Sequence, residues 1–184
     1  MFPELDSGFH AAICMARFVR EPLAEYCNIW TSANASEVFG YEALYIDVHP
    51  YKHLLEGVKR HLLNALERVL VDAVCDIGVD VNLAASNDHL CGMLAFVAGL
   101  GLRKADNLRQ SIRRSKMVYS RNDLVKRKLL TANIWTNATG FLYIRDNNQD
   151  KQLNLLDNTR IHPECYTQFE IVQKICANAF ARKA

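Results

Sequence analysis

Apolar residues return at helical spacing through most of the chain. Between Lys52 and Ile77, Leu55, Val58, Leu62, Leu66, Val69 and Ala73 recur every three to four residues until Gly78 stops the pattern. This predicts one long helix, with an apolar face wide enough to pack against more than one neighbour. Residues 9–19, FHAAICMARFV, are apolar enough for a buried helix. Pro22 biases Glu21 out of helix, and LAEYCNIW resumes the helical pattern. Thr31 to Gly40 is small and polar and reads as a loop. Ala43 to Val48 (ALYIDV) reads as a short strand or extended link ending at His49-Pro50.

Past Gly78 the link VDVNLAAS leads to a shorter helix capped by Ser86 or Asn87, with Asp80 expected to make a local turn or cap bond. The decisive stretch is the next one, Leu94 to Ile112, LAFVAGLGLRKADNLRQSI. Its apolar start reads as a helix end, and Ala105, Leu108 and Ile112 make one face of the next helix. Gly99 and Gly101 let the backbone turn sharply and leave Leu100 to pack between the two helices. Ser120 and Asp123 are spaced as a capping box for RNDLVKRK, and Thr131 caps a helix through Ala138 closed by Gly140. Phe141 to Ile144 reads as extended and DNNQD (146–150) as a loop. Pro163 sits at a first helical position, before a helix whose face is Tyr166, Phe169, Val172, Ile175 and Ala179. The expected fold is all-α, a helical scaffold with a tandem helix-hairpin-helix at 87–114 and 121–139 and one or two short extended segments.

A helix-hairpin-helix carries its chemistry in the backbone. Amides at the hairpin and the following helix start have no carbonyl partner, and the helix dipole there favours an anion. Arg103 and Lys104 stand in that first turn, with Arg109, Arg113 and Arg114 further along. Charge sharpens the picture. The chain has 184 residues and a net charge of +2, yet residues 101–130 hold ten Lys/Arg and two acids. The basic field therefore begins where the free amides are, which points to a polyanion and makes nucleic-acid phosphate the natural ligand. The candidate binding residues are Gly99, Leu100, Gly101, Arg103, Lys104, Arg109, Arg113 and Arg114. Such contacts do not read bases. About four to five neutralised phosphates would give a log-log salt slope of about −4. The same field could instead meet an acidic protein surface, with the hairpin only joining helices.

Other chemistry is poorly supported. Asp76, Asp80 and Asp88 are scattered where a nuclease would cluster carboxylates around metal ions. His162 reads as a helix cap rather than a base for Cys165, so no catalytic residue and no enzyme is expected. Six cysteines without a CxxC pair read as buried free thiols; neither they nor His53 and His61 have metal-ligand spacing. No metal or cofactor is expected. Trp135 is at core spacing and should be buried. The N-terminus lacks a basic segment before an apolar one, and no run approaches a membrane span, so no secretory signal and no membrane partner are expected.

Four segments in register, GVDVNLAAS, FVAGLGLRKADNL, ATGFLYI and LLDNTRIHPECY, resemble the Tex-like core of the eukaryotic suppressor-of-Ty-six transcription elongation factor family and its bacterial relative Tex. ARFVREPLAEY resembles the tail of that family's RNase H-like (YqgF) domain, and VHPYKHLL favours the eukaryotic branch. The resemblance implies a nuclear, non-enzymatic histone chaperone that travels with RNA polymerase II and binds DNA or RNA backbone. It divides the chain into 1–48, a YqgF remnant; 49–85, a connecting helix and link; 86–144, the tandem helix-hairpin-helix; and 145–184, the start of a death-like helical domain. Gly99 to Lys104 fall on the family's glycine-leucine-glycine-proline-arginine-lysine element, with Leu102 replacing proline. The second hairpin has Leu130-Thr131-Ala132-Asn133 where relatives carry glycine-proline-lysine, so its phosphate site is not carried over. The family's RNA-binding barrel and tandem Src-homology domains have no counterpart in these 184 residues, and the chain reads as a fragment or truncated paralogue.

Overall fold

A computed structural model describes residues 6–31, 58–114, 117–145 and 154–181 of the chain. Expectations for residues 32–57 and for DNNQD lie outside the described residues, as do those for the side chains of Ile175, Cys176 and Ala179. Among the described residues the fold is all-α apart from one two-residue parallel pairing. In chain order the helices are α1 (Ser7–Arg20), α2 (Pro22–Thr31), α3 (Lys59–Ile77), α4 (Val81–Ser86), α5 (Leu102–Arg114), α6 (Asp123–Lys126), α7 (Ala132–Ala138) and α8 (Tyr166–Ala181). Strand β1 (Val79–Asp80) pairs with β2 (Leu142–Tyr143), Val79 opposite Leu142. That pairing closes the region between them, which contains both hairpins, into one unit.

The core forms where α2, α3, α4 and α5 meet a 3-10 turn, Leu90–Phe96. Leu94, Val81, Leu108, Val74 and Leu124 are all essentially inaccessible. Each buried Leu or Val of this kind contributes about 1.5–3 kcal/mol. Two side chains in the VDVN link fix the path of the chain beyond it. Asp80 Oδ1 accepts from the amides of Asn82 and Leu83, both at 3.0 Å, and so starts α4. Asn82 pairs with the backbone of Val118, donating to its carbonyl (2.8 Å) and accepting from its amide (3.0 Å). The cap expected at Asp80 is present, but the link itself is β1 plus a six-residue helix.

Several expectations are corrected. The buried residues of α3 are Leu63, Val74 and Cys75, with Leu66 and Leu70 partly covered, whereas Val69, and Val58 just before the helix, face outward. The run before the glycines is a 3-10 segment and not an α-helix end. LCGMLAF is apolar at almost every position, so it carries no period from which winding could be read. No residue of α1 is buried, because among the described residues it rests chiefly on α2, with Phe18 edge-on to Tyr26 at 5.5 Å. In α8 Tyr166 is buried, whereas Phe169 and Val172 are exposed. Phe141 ends a 3-10 turn instead of starting the strand. The capping box is shifted by one residue: Ser120 Oγ accepts from Asn122 N, and Asp123 Oδ2 from Tyr119 N, both at 3.3 Å. Trp135 is half-buried, donating Nε1 to Arg121 O at 2.9 Å. Of the thiols, Cys27 and Cys75 are buried while Cys14, Cys91 and Cys165 are partly exposed; burial pushes Cys27 up to about 12.

Two residues past α6 stands Lys128, a non-glycine residue at φ 57°, with Leu129 N and Leu130 N both on Leu124 O. A side chain in that region costs about 1 kcal/mol. Lys128→Gly should therefore raise the stability by about 0.5–1 kcal/mol in urea unfolding, whereas Lys128→Val should lower it.

Candidate nucleic-acid interface

The hairpin is built by two backbone conformations. Gly99 stands at φ 90° and Gly101 at φ 76°. Leu100, between them, is 4% exposed, and its amide donates to Val97 O at 3.0 Å. The two glycines differ in what surrounds them. A Cβ on Gly99 would lie 3.0 Å from Asn137 Cβ, so α7 packs directly on the hairpin. A Cβ on Gly101 would meet nothing within 4 Å. Gly101 precedes the first residue of α5 and offers no side chain to its opening amides, which leaves them directed at solvent or a ligand. Ala105, Leu108 and Ile112 are buried as one line, anchoring the helix behind that open end.

The cations do not form one patch. At about 100° per residue, Arg103 and Arg114 stand opposite the buried line of α5, Lys104 flanks it on one side, and Arg109 and Arg113 flank it on the other. Arg103 and Arg114 are exposed. Lys104 reaches back across the hairpin and donates Nζ to Gly99 O at 3.2 Å. Arg109 and Arg113 both donate to Asp88 Oδ1, the latter at 2.5 Å, and Arg113 Nε donates to Ala85 O at 2.7 Å. The paired guanidiniums, Arg113 foremost, hold the Asp88 carboxyl below its ordinary range. Asp88 lies 21 and 25 residues from its partners, a separation that no local spacing rule detects.

Arg121, one of the ten cations of the basic field, belongs to the interior. It is 0% exposed and donates Nη1 to Ile161 O (2.6 Å) and Tyr166 Oη (3.3 Å), and Nη2 to Thr159 O. Tyr166 Oη donates to Asp157 Oδ1 at 2.6 Å, and Arg121 N to Asp157 Oδ2 at 3.3 Å. Burial lowers the Arg121 guanidinium and raises the Tyr166 phenol from their ordinary values. The segment LLDNTRIHPECY is thus a strap across the tandem hairpins. Asp157 and Tyr166 hold Arg121, Arg160 donates to Cys75 O (3.1 Å) at the end of α3, and His162 Nε2 is 3.1 Å from Thr136 O on α7. His162 Nδ1 also accepts from Glu164 N at 3.3 Å, the cap expected from Pro163.

At the second hairpin Thr131 occupies the cap position of α7 without a side-chain cap bond. Elsewhere Glu25 and His89 form a buried pair at 3.2 Å, with burial pulling His89 below its ordinary value. Among the described residues no group of three or more His, Cys, Asp or Glu could hold a metal ion, and no helix is long and apolar enough to cross a membrane.

Comparison with known proteins places this geometry. The helix-hairpin-helix motif family matches residues 41–145. Transcription elongation factor spt-6 of Neurospora crassa is 34% identical over 184 residues, covering 96% of this chain and 12% of that protein. Transcription elongation factor SPT6 of Saccharomyces cerevisiae is 33% identical over 184 residues, covering 97% and 12%. The SPT6 homolog of Arabidopsis thaliana is 33% identical over 169 residues, covering 90% and 10%. The chain therefore spans about an eighth of the length of these curated relatives.

Proposed function

Since the chain belongs to the helix-hairpin-helix family, and is homologous along nearly its whole length to a segment of transcription elongation factor SPT6, we propose that it binds nucleic-acid backbone without regard to sequence. The ligand sits at Gly99–Gly101 and the opening turn of α5. The reading extends to the setting: a nuclear, non-enzymatic part of an elongation factor and histone chaperone that works with RNA polymerase II on chromatin. The names of the relatives, each a transcription elongation factor, support that setting.

One observation carries the binding reading. The first amides of α5 follow a side-chain-free cap position, with the exposed Arg103 beside them and Leu108 and Ile112 fixing the helix behind. A phosphate there gains backbone donors, the helix dipole and a cation together. With Arg109 and Arg113 held by Asp88, about three cations remain for phosphate. The log-log salt slope should then be near −3, shallower than a count of all five α5 cations would give.

The test is titration of the 184-residue chain with a short labelled duplex at two salt concentrations, beside Arg103→Glu/Lys104→Glu. Both positions are exposed, so circular dichroism should show the fold unchanged. Affinity should fall at least about tenfold in the variant at low salt. A folded wild type that does not bind would defeat the proposal and leave the hairpin as a joint in a protein-binding scaffold.

A further inference from the structure

Asp88 stands between α4 and the 3-10 segment with its side chain 80% exposed, yet one of its oxygens holds both Arg109 and Arg113. Ion pairs this exposed add little to stability, so two of them are a weak anchor for α5. The turn does not need the carboxylate either. Asn87 Oδ1 accepts from His89 N at 2.9 Å, Asn87 N donates to Leu83 O at 2.9 Å, and Arg113 is tied to α4 independently through Ala85 O. What Asp88 does supply is an oxyanion at the point where two guanidiniums on one side of α5 converge. Carboxylate and phosphate present the same acceptor geometry to a guanidinium.

We propose that Asp88 is an internal competitor for nucleic-acid phosphate at Arg109 and Arg113. The inference rests on phosphate binding at the hairpin and adds the residue that sets its strength. In the free protein Asp88 occupies both arginines, so the hairpin amides and the outward cations make first contact. A second phosphate reaches Arg109, about 9 Å along the helix from Arg103, only by displacing Asp88. The released carboxylate is already largely in water and costs little to free. The exchange keeps affinity moderate and makes it a function of one surface carboxylate. The depressed carboxyl of Asp88 agrees, since it stays ionised through the ordinary working range.

Asp88→Asn tests this in the full chain, with Asp106→Asn as the control. Asp106 is an exposed acid on α5 that accepts from Gln110 at 2.8 Å, so its loss changes net charge equally and frees no arginine. With a labelled duplex of about two helical turns, Asp88→Asn should bind about tenfold more tightly at low salt. Its log-log slope should steepen by about 2, and Asp106→Asn should stay within about twofold of wild type. Adding Arg109→Gln and Arg113→Gln to the Asn variant should remove the gain. Asp88→Ser, which keeps a turn-forming side chain, gives the same reading should the Asn variant fold poorly. Equal behaviour of the Asp88 and Asp106 variants, or weaker binding by Asp88→Asn, overturns the competitor while leaving the hairpin site intact. Absence of binding by both wild type and Asp88→Asn overturns the hairpin reading itself.

Discussion

Arg121→Met will cost the fold about 3–5 kcal/mol, measured as the loss of unfolding free energy in urea. The guanidinium is fully buried and serves Ile161 O, Thr159 O and Tyr166 Oη. Methionine matches its length but offers none of these oxygens a donor, and each orphaned acceptor costs about 1–3 kcal/mol. It also leaves the Asp157 carboxylate, 1% exposed, without the positive charge that offsets its burial. Lysine will not rescue, because a single ammonium cannot span the three acceptors that a planar fork reaches. Adding Asp157→Asn to the Met variant should recover part of the loss, since no buried charge then stands alone. A loss below about 1 kcal/mol would mean that the strap is held by apolar contact and not by this network.

The second large effect separates the two hairpin glycines. Gly101→Ala should cost about 1–2 kcal/mol, the penalty of a side chain at φ 76° with open space around it. Gly99→Ala carries the same kind of penalty at φ 90°. It also sets a methyl group 3.0 Å from Asn137 Cβ, so α7 must shift away. Its total should reach about 2–4 kcal/mol. Asn137→Ala/Gly99→Ala would leave the contact in place, because the clash is with Cβ, whereas Asn137→Gly/Gly99→Ala should relieve it. Urea unfolding of the four variants decides the matter. Equal costs at the two glycines would show that α7 is free to move and that the two hairpins are not rigidly joined.

Much of this was legible in the chain. The all-α class, the hairpin at Gly99–Gly101, the buried face of α5 and the caps at Asp80 and His162 all rest on interactions within a few residues. Local steric and hydrogen-bond rules reach that far. The stripe of α3 was misplaced by about one position because apolar residues surround much of that helix. Which of them is buried depends on where α2 and the 3-10 segment lie. The apolar run of α1 was likewise read as buried from composition, yet among the described residues little covers it.

Charge shows the boundary best. Counting residues 101–130 assigned every Lys and Arg to one basic field. The fold divides them: Arg121 goes to the interior, Arg109 and Arg113 go to Asp88, and Arg103 and Arg114 go to solvent. Their partners, Asp157, Tyr166, Thr159, Ile161 and Asp88, lie 21 to 45 residues away. Electrostatic and hydrogen-bond energies depend on separations in space, of which sequence distance is no measure once the chain has closed on itself. The sequence by itself therefore determined where the backbone turns and where α5 opens without a side-chain cap. The tertiary structure alone decided which cations of the basic field stay exposed.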